Sequence, residues 1–392
     1  MQPLAGLTVV TLEHAIAAPL ATRHLADLGA RVIKIERPGT GDFARGYDER
    51  VRGLSSHFVW TNRGKESLTL DLKHPEALAL LRRLVLERAD VLVQNLAPGA
   101  AARLGLDHAT LAPEKPGLVV CDISGYGADG PYRDKKAYDL LIQSEAGVLS
   151  VTGTPDEPVK AGISIADIAA GMYAYSNILA ALIERSRTGR GRRIDVSMLE
   201  SLVEWMGYPL YYAFDGAAPP ERTGARHATI YPYGPFAARD GATLMLGIQN
   251  EREWAAFCDK VLGRPELASD PRFASVSKRA ATREQLAPII AAVFSRLAGD
   301  ELVRRLDAAQ IANARLNDMR GVWAHPQLRA RERWRDVETP AGPVPAPAPP
   351  GLDAEDARMD PVPALGEHTD AVLTELGLGE AAIARLRAAK AI

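Results

Sequence analysis

Residues 6–36, GLTVVTLEHAIAAPLATRHLADLGARVIKIE, decide the fold. The first part, Gly6–Glu13, is rich in β-branched residues and predicts a buried strand. Pro19 then opens a helical stretch, which a glycine ends after Leu28. Arg31–Glu36 predicts a second strand. A strand, a helix and a strand within about 30 residues form the βαβ unit of a parallel sheet.

The same alternation continues along the chain. Further strands are predicted at Ser67–Asp71, Asp90–Gln94, Gly117–Ile123 and Arg193–Ser197. Further helices are predicted at Pro75–Arg88, Pro98–Leu104 and Met198–Tyr212. Strands and helices that alternate in this way predict an α/β fold with a Rossmann-like, doubly wound sheet.

Two changes in composition divide the chain. Gly216–Pro220 is rich in small residues and proline and predicts a linker, and Pro340–Gly351 contains six prolines and predicts an extended segment. We therefore expect a large domain in residues 1–215 and a smaller α+β domain in residues 216–329. Residues 330–392 are expected to be an extended linker and a C-terminal part that returns to the large domain.

Composition limits the classes of partner. The formal net charge is −2, so no global field attracts nucleic acid or an anionic membrane. The two cysteines, Cys121 and Cys258, lie far apart in apolar surroundings, which favours a reducing compartment over a disulfide framework. The first residues do not resemble an export signal. We expect a cytoplasmic globular protein that binds neither nucleic acid nor membrane.

Familiar cofactor motifs are missing from the sequence. The first βα turn lacks G-x-G-x-x-G, which argues against NAD despite the acidic Glu36, and no G-x-x-x-x-G-K-[ST] is present for ATP. The eight histidines are scattered, with no pair closer than ten residues, which removes the usual metal spacings. We expect no metal, no NAD and no ATP.

Asp167 is the most informative single residue. It precedes Ile168–Ile183, 16 residues without a charge. A helix that is apolar on every side belongs in a protein interior, and this run is short for a membrane span. At the start of such a helix, free N–H groups and the helix dipole stabilise a carboxylate. Asp167 is therefore either a helix cap or a catalytic carboxylate.

Ser164 offers a competing nucleophile. Gly162–Ala166 approaches the G-x-S-x-G elbow of α/β hydrolases. The final glycine is Ala166, however, and no strong strand precedes the segment. A serine hydrolase stays open as the weaker alternative.

Five basic residues lie at or just after predicted strand ends: Arg37, Lys73, Arg103, Lys135 and Lys136. Solvated surface charge accounts for most lysines and arginines in any chain. Their shared position at one edge of the sheet instead suits a ligand with several phosphates.

Several motifs, in this order and spacing, resemble class III CoA-transferases, the formyl-CoA transferase and carnitine CoA-transferase group that also contains α-methylacyl-CoA racemases. They are Pro3–Leu7, Leu28–Glu36, Gly125–Gly127, Gly130–Tyr132, Ala137–Asp139, Gly162–Asp167, Gly189–Gly191, Asp195–Glu200 and Leu365–Thr369. The likeness spans nearly the whole chain.

This resemblance implies roles for particular positions. The family's nucleophilic aspartate matches Asp167. Positions that contact coenzyme A in relatives match Arg37, Leu70, Asp71, Leu72, Lys73, Asn95, Leu96, Ala97, Arg103, Lys135, Lys136, Ala137 and Tyr138. Relatives form an interlocked homodimer, each subunit having a Rossmann-like large domain and a small domain.

The implied chemistry moves CoA between two carboxylic acids through an aspartyl mixed anhydride and enzyme thioester. The thioester is conserved, so the reaction needs neither ATP nor metal. Asp167 must be ionised to attack, and we expect the helix N-terminus to keep it so.

The acceptor acid is predicted from further residues. Ile16 follows His14-Ala15 where formyl-CoA transferases carry a catalytic Gln, and their run of glycines is missing, so oxalate and formate are disfavoured. Arg226 and Arg45 suit a second carboxylate, together with His227, Tyr231 and Tyr233. Trp205–Tyr212 and His227–Phe236 resemble relatives that use succinyl-CoA with mesaconate, itaconate, citramalate or glutarate.

Three alternatives to the transferase remain. Racemases place a histidine at the position of Tyr138, and an ordinary tyrosine is about three pKa units too high for a base at neutral pH. A serine acyl-CoA hydrolase would use Ser164. A non-catalytic protein would bind acyl-CoA with the same basic residues.

Overall fold

The structure is a computed structural model of the chain and describes residues 2–353 and 356–392. The strands are β1 Thr8–Leu12, β2 Arg31–Glu36, β3 Lys65–Thr69, β4 Val91–Gln94, β5 Val119–Ser124, β6 Arg193–Ser197, β7 Tyr233–Ala237, β8 Thr243–Gly247, β9 Ala312–Arg315, β10 Trp334–Val337 and β11 Val344–Pro347. The α-helices are α1 Ala17–Asp27, α2 Ser56–Asn62, α3 Pro75–Arg88, α4 Ala100–Arg103, α5 His108–Leu111, α6 Asp139–Glu145, α7 Val148–Val151, α8 Ile165–Thr188, α9 Met198–Trp205, α10 Gly207–Tyr212, α11 Glu251–Ala256, α12 Val276–Ala281, α13 Arg283–Phe294, α14 Gly299–Ala308, α15 Met319–Trp323, α16 Pro326–Ala330, α17 Thr369–Glu375 and α18 Glu380–Ala388.

Six parallel strands form the main sheet in the order β3-β2-β1-β4-β5-β6. This is the order of a doubly wound sheet, whose strand order reverses between β1 and β4. The predicted α/β class with a parallel sheet is confirmed. Ligands of such sheets bind beyond the carboxyl ends of the strands at the reversal point. A ligand site is therefore expected at the residues that follow Leu12 at the end of β1 and Gln94 at the end of β4.

Sequence patterns located several elements well and others less well. β2, α3 and β6 have the predicted bounds, whereas β3 begins and ends two residues earlier than Ser67–Asp71. The predicted helix Met198–Tyr212 is two helices, α9 and α10. The break lies just before Pro209, because proline has no N–H to bond to the carbonyl four residues earlier and its ring crowds that carbonyl.

Contacts divide the described chain into two units. The larger contains the residues up to Gly147, Ala161–Met206 and those from Pro326 onward, and the smaller contains Val148–Lys160 and Gly207–His325. The smaller unit therefore begins earlier than the predicted residue 216 and takes in a distant segment. That segment is tied by the Gly224 N–H, which donates to the Gly153 carbonyl at 2.7 Å. Such a long-range hydrogen bond leaves no periodic signal in sequence.

The larger unit is built around the parallel sheet. Val10, Leu92 and Val120 are fully buried in one apolar cluster with α3, and the C-terminal residues Leu386 and Ala391 belong to the same cluster. The end of the chain therefore returns to the large unit. β11 lies in the proline-rich segment and pairs antiparallel with β10, which agrees with the predicted extended character of that segment.

The smaller unit has its own antiparallel sheet, in the order β7-β8-β9. Its core contains Leu244, Trp254, Phe257, Phe294 and Leu306, all nearly inaccessible to solvent. A separate apolar core of this size is what an independently packed unit requires.

Helix α8 is longer than the uncharged run Ile168–Ile183 from which it was predicted. It has 24 residues, and by length and composition alone it could cross a membrane, with a mean hydropathy of 1.3 over its most apolar window. Ala166, Ala170 and Ala174 are buried, and the helix packs against α1 and contacts β5 and β6. It is not buried on every side as predicted, since Ile183 is 56% exposed.

Candidate active site

The N-terminus of α8 is held by two polar side chains of α6. The Asp139 carboxylate accepts a hydrogen bond from the Ala166 N–H at 2.8 Å and another from the Gln143 amide at 2.6 Å. The Gln143 carbonyl oxygen in turn accepts from the Ala161 N–H at 2.9 Å. Asp139 therefore caps the helix. Asp167 does not, which removes the helix-cap interpretation of that residue.

Asp167 lies in the first turn of α8, on the side that meets α1. A polar contact from the Ala17 N–H favours its charged form. One turn further, Gly171 makes this approach possible, because a Cβ there would lie 2.7 Å from the Ala17 carbonyl oxygen. The start of α1, with N–H groups that have no partner inside the helix, therefore lies beside the Asp167 carboxylate.

The pKa of Asp167 is raised to about 7, first by burial and then by the negative charge of Asp139. The Ala17 contact opposes this shift without cancelling it. The expectation that the helix N-terminus keeps Asp167 ionised is therefore too simple, because burial and the charge of Asp139 outweigh the contact from the Ala17 N–H. A carboxyl group with a pKa near neutrality in a partly enclosed position is typical of functional sites.

The turn between β1 and α1 is held from two sides. The Asn95 amide accepts a hydrogen bond from the His14 N–H at 2.9 Å and donates one to the His14 carbonyl at 2.9 Å. Asp42 accepts one from the Ala15 N–H at 3.2 Å. Ala15 has a φ of 63°, which is costly for a residue with a Cβ. Asn95 was predicted to contact coenzyme A, but its amide is used to position this turn.

Below the turn lies a buried network of charges. Glu13 accepts hydrogen bonds from the Lys65 ammonium at 2.6 Å and the Lys34 ammonium at 3.4 Å, and Lys34 also donates to Asp42 at 2.8 Å. All four side chains are almost inaccessible to solvent. These lysines hold the pKa of Glu13 down at about 2 although burial alone would raise it. The network holds Glu13, which precedes the β1–α1 turn, and Asp42, which is hydrogen-bonded to the turn at Ala15.

A row of aromatic rings lies beside the same turn. His14 stacks on Phe43 at 5.3 Å, Phe43 contacts Tyr47 at 5.7 Å, and Tyr47 meets the edge of His57 at 5.3 Å. Burial raises the pKa of Tyr47 to about 12, with the charges of Asp42 and Asp167 adding to it. Phe43 and Tyr47 are about half exposed. These exposed rings near Asp167 were not predicted as site residues.

The predicted contacts with coenzyme A line more than one cavity of the larger unit. Arg37, Asp71 and Lys73 line a cavity of about 450 Å³ in the larger unit. Leu96 and Ala97 line another, of about 470 Å³, at the carboxyl ends of β4, β5 and β6.

Two leucines in the predicted set are not free to bind a ligand through their side chains. Leu70 is buried in the core, and its N–H donates to the Glu36 carbonyl at 2.9 Å. Leu72 packs against the same core. The run Leu70–Lys73 therefore contributes mainly its last residue to the cavity.

The remaining predicted contacts follow β5 or lie on α4. Lys135 forms an ion pair with Glu145 and lies 4.3 Å from the centre of the Tyr132 ring. Lys136 is exposed, Ala137 packs closely on Gly125, and Tyr138 is 70% exposed. Arg103 is exposed on α4 beside Gly99.

The structure changes the list of residues proposed for the acceptor acid. Arg45 binds Glu36 through two hydrogen bonds, at 2.9 and 2.8 Å, and lies 3.8 Å above the Phe58 ring, so its guanidinium group is already occupied. Ile16 is buried, which keeps its side chain from an incoming acid. His14 is half-buried, and burial lowers its pKa, so it is neutral at pH 7.

In the smaller unit, Arg226, Tyr231 and Tyr233 line a cavity of about 560 Å³ together with Arg283. Among the described residues, neither arginine has a carboxylate within 4 Å. His227 does not line the cavity. It stacks on Tyr233 at 5.1 Å, and its Nδ1 accepts hydrogen bonds from two backbone N–H groups. Arg283 was missed because it lies within an ordinary helical pattern.

Ser164 lacks the surroundings of a hydrolase nucleophile. It is the N-cap residue of α8 and follows a bend rather than a strand. Within residues 2–353 and 356–392, no histidine is hydrogen-bonded to it. A strand-to-helix elbow and an adjacent base are both required for that chemistry.

Comparison with known proteins identifies relatives along nearly the entire chain. Residues 4–369 match the model of CoA-transferase family III. The succinate–glutarate CoA-transferase of Agrobacterium fabrum is 36% identical over 386 residues, with 95% of this chain and 96% of that protein covered. The acetyl-CoA:oxalate CoA-transferase of Acetobacter aceti is 36% identical over 331 residues, with 84% of each chain covered.

A solved structure has a similar fold along nearly the whole chain. A CaiB/BaiF family protein from Brucella suis superposes with a TM-score of 0.83 at 35% identity, covering 95% of this chain and 99% of that one.

Proposed function

Because the chain belongs to CoA-transferase family III, we propose that it moves CoA from succinyl-CoA to a short dicarboxylic acid, with Asp167 as the nucleophile. The observation that carries this proposal is the half-enclosed Asp167 carboxylate beside the N–H groups at the start of α1. The Agrobacterium relative named for succinate and glutarate supports the acid class. Glutarate, mesaconate, itaconate and citramalate are the proposed acceptors.

The first step forms an anhydride. An Asp167 oxygen attacks the thioester carbonyl of succinyl-CoA, the C–S bond breaks, and CoA leaves as a thiolate. The thiolate then attacks the Asp167 carbonyl, which releases succinate and leaves an enzyme thioester. The acceptor carboxylate repeats these steps in reverse, so that its own thioester is released and Asp167 is regenerated.

Each tetrahedral intermediate carries an oxyanion that needs donors already in place. The N–H groups of Ala17 and Ala18 begin α1 and have no acceptor within the helix. We assign the oxyanion to them, since preorganised backbone donors of this kind are typically worth about 3–4 kcal/mol each. Asn95 and Asp42 hold the turn that aims these donors.

Within the smaller unit, Arg226, with Arg283, Tyr231 and Tyr233 in the same cavity, keeps its proposed role of binding a carboxylate. Arginine binds carboxylates through two parallel hydrogen bonds. Arg45 and Ile16 are removed from the proposed acceptor residues because their side chains are occupied or buried.

Two further proposals concern the protein as a whole. We propose that it is a homodimer, as its relatives are expected to be. A cytoplasmic location stays a prediction from the sequence, with which the free, buried Cys121 and Cys258 agree.

The decisive experiment measures CoA exchange from succinyl-CoA to a panel of acids, including glutarate, mesaconate, oxalate and monocarboxylates. Asp167→Asn should reduce exchange by more than about a thousandfold. Its melting temperature at pH 8 should equal or exceed that of the native chain, because the substitution removes a partly buried charge. Hydroxylamine added during turnover should label Asp167 as a hydroxamate.

Three results would contradict parts of the proposal. Exchange that persists in a folded Asp167→Asn variant rules out the nucleophile. Activity restricted to monocarboxylates rules out the acid class. Label on Ser164 instead of Asp167 supports the hydrolase alternative, whereas α-proton exchange without an adduct supports the racemase.

A further inference from the structure

Lys65, the first residue of β3, is a buried lysine whose ammonium group uses all three of its N–H bonds. It donates to the Glu13 carboxylate at 2.6 Å, to the Pro19 carbonyl at 2.9 Å and to the Asn62 amide oxygen at 3.1 Å. A buried charge is stable only when such partners surround it. The positions of these three acceptors are therefore fixed relative to one nitrogen atom.

Two of the acceptors lie at the two ends of the β1–α1 turn. Glu13 directly follows β1, and Pro19 lies in the first turn of α1, two residues after Ala17. The Ala17 N–H is the donor that contacts the Asp167 carboxylate. The Lys65 nitrogen therefore joins both ends of the segment that carries the proposed oxyanion donors.

The Glu13 carboxylate is itself held by neighbouring elements. Its other oxygen accepts hydrogen bonds from the Thr11 hydroxyl of β1 at 2.8 Å and from the Thr22 hydroxyl of α1 at 2.7 Å. Burial lowers the pKa of Lys65 to about 7, with Glu13 opposing this shift and Lys34 adding to it. The contacts of Lys65 are complete in the ammonium form, because a neutral amine has only two N–H bonds for three acceptors.

A buried ion pair can also serve stability alone, and α1 contains a second pair for comparison. Asp27, the last residue of α1, accepts two hydrogen bonds from Arg63 at 2.8 and 2.9 Å, and both side chains are nearly inaccessible to solvent. This pair also joins α1 to the end of α2. It lies about 15 Å along the helix from Ala17, so it does not reach the β1–α1 turn.

We propose that Lys65 is a positioning residue for the reaction, because it holds the start of α1 so that the Ala17 and Ala18 N–H groups face Asp167. This role rests on the proposed function, to which the oxyanion donors belong. A displacement of about 1 Å at a reacting centre can cost about a hundredfold in rate. Lys65 lines neither cavity that carries the predicted coenzyme A contacts. Its loss should therefore lower kcat and leave the binding of coenzyme A unchanged.

The test variant combines Lys65→Met with Glu13→Gln, which removes one buried charge of each sign and keeps similar side-chain volumes. Replacing a buried ion pair by uncharged groups of similar size is often neutral for stability. Below pH 7, where the ammonium form predominates in the native chain, kcat for CoA exchange should fall about thirtyfold. The KM for succinyl-CoA and the Kd of free CoA should stay within about threefold of the native values.

A titration of Asp167 provides a second measurement that does not depend on turnover. The Ala17 N–H favours the charged form of Asp167, so displacement of α1 should raise the Asp167 pKa by about half a pH unit. The carboxyl signal can be followed by ¹³C NMR in protein labelled at aspartate, with Asp167→Asn identifying the resonance. The double variant keeps the net charge, so a change in net charge does not account for such a shift.

The matched control combines Asp27→Asn with Arg63→Met. It removes a buried ion pair from the other end of the same helix, so kcat should stay within about twofold and the Asp167 pKa should not move, whatever the change in melting temperature. Equal losses of kcat in the two double variants would overturn the proposal, because any loosening of α1 would then have the same effect.

Native kcat together with a native Asp167 pKa in the Lys65→Met, Glu13→Gln variant would also overturn the proposal. If that variant does not fold, Lys65→Arg takes its place with the same expected results. It keeps a positive charge beside Glu13 but cannot donate to three acceptors from one nitrogen.

Failure of this proposal differs from failure of the proposed function. A raised Asp167 pKa in the Lys65 variant supports the positioning role even if Asp167→Asn keeps its activity. An unmoved pKa with native kcat rejects the positioning role even if Asp167 is the nucleophile.

Discussion

At the level of single residues, the charge of the Asp139 carboxylate affects the pKa of Asp167. Asp139 caps α8 through the Ala166 N–H and, by its charge, contributes to the raised pKa of Asp167. The same side chain therefore holds the helix and, after burial, is the second cause that raises the pH at which Asp167 becomes an anion. Because only the anion can attack a thioester, the fold couples structure to the pH dependence of the reaction.

The first prediction concerns that pH dependence. A plot of kcat/KM against pH should fall on the acid side with a midpoint near the Asp167 pKa of about 7. Asp139→Asn keeps a cap oxygen for Ala166 but removes the negative charge. It should therefore lower the Asp167 pKa and move the acid limb to lower pH.

Glu87→Gln provides the control for this measurement. It removes an equal charge from the end of α3, where Glu87 pairs with Arg83, near the amino ends of the strands. Its profile should match that of the native enzyme. A limb that stays in place in Asp139→Asn would show that Asp139 does not set the charge state of Asp167.

At the scale of elements, the site depends on how closely α1 meets α8. Gly171 allows the contact, since a side chain there would press on the Ala17 carbonyl oxygen at 2.7 Å and on Leu20 at 3.4 Å. The N–H groups at the start of α1 and the Asp167 carboxylate in the first turn of α8 both lie where these two helices meet. Small changes in helix separation should therefore affect catalysis and stability together.

The second prediction tests this crossing. Gly171→Ala should lower the free energy of unfolding by about 1–3 kcal/mol, as overpacking does. It should also reduce kcat by at least about tenfold by moving the oxyanion donors. Gly207→Ala, at a helical glycine with open space around it, should instead leave kcat unchanged and raise stability by up to about 1 kcal/mol. Equal behaviour of the two variants would contradict the proposed role of the crossing.

At the scale of the molecule, apolar surface remains uncovered in the single chain. No residue of α10 is buried, and Tyr211 and Phe214 in the same stretch are 82% and 73% exposed. Soluble monomers rarely leave contiguous aromatic surface of this kind in water. A second copy of the chain is the occupant we propose.

The third prediction is that light scattering gives twice the 42.2 kDa mass of one chain at micromolar concentration. Tyr211→Asp should shift the mass toward one chain or reduce solubility, because a charge would be buried in the interface. Tyr132→Asp changes another half-exposed tyrosine, outside the α10 stretch, and should leave the mass unchanged. A native mass of one chain at every concentration would rule out the dimer.

Local sequence patterns are sufficient to predict much of the fold and part of the site. Periodicity, β-branched runs and proline positions located β2, α3 and β6 at their observed bounds, because these signals act locally and are written in neighbouring residues. Alternation of strands and helices was enough for the α/β class. The run of apolar residues after Asp167 singled out that carboxylate before any contact was known.

The roles of the polar groups follow from contacts that form only in the folded chain. The sequence predicted that Asn95 and Arg45 bind ligands. The structure adds that the Asn95 amide holds the turn at His14 and that the Arg45 guanidinium group is bound to Glu36. The Asp167 pKa depends on burial and on the charge of Asp139, which comes 28 residues earlier in the chain. Desolvation and hydrogen bonding act between groups that folding brings together, so no local pattern records them. The contact that joins Lys65 to Pro19 exists for the same reason.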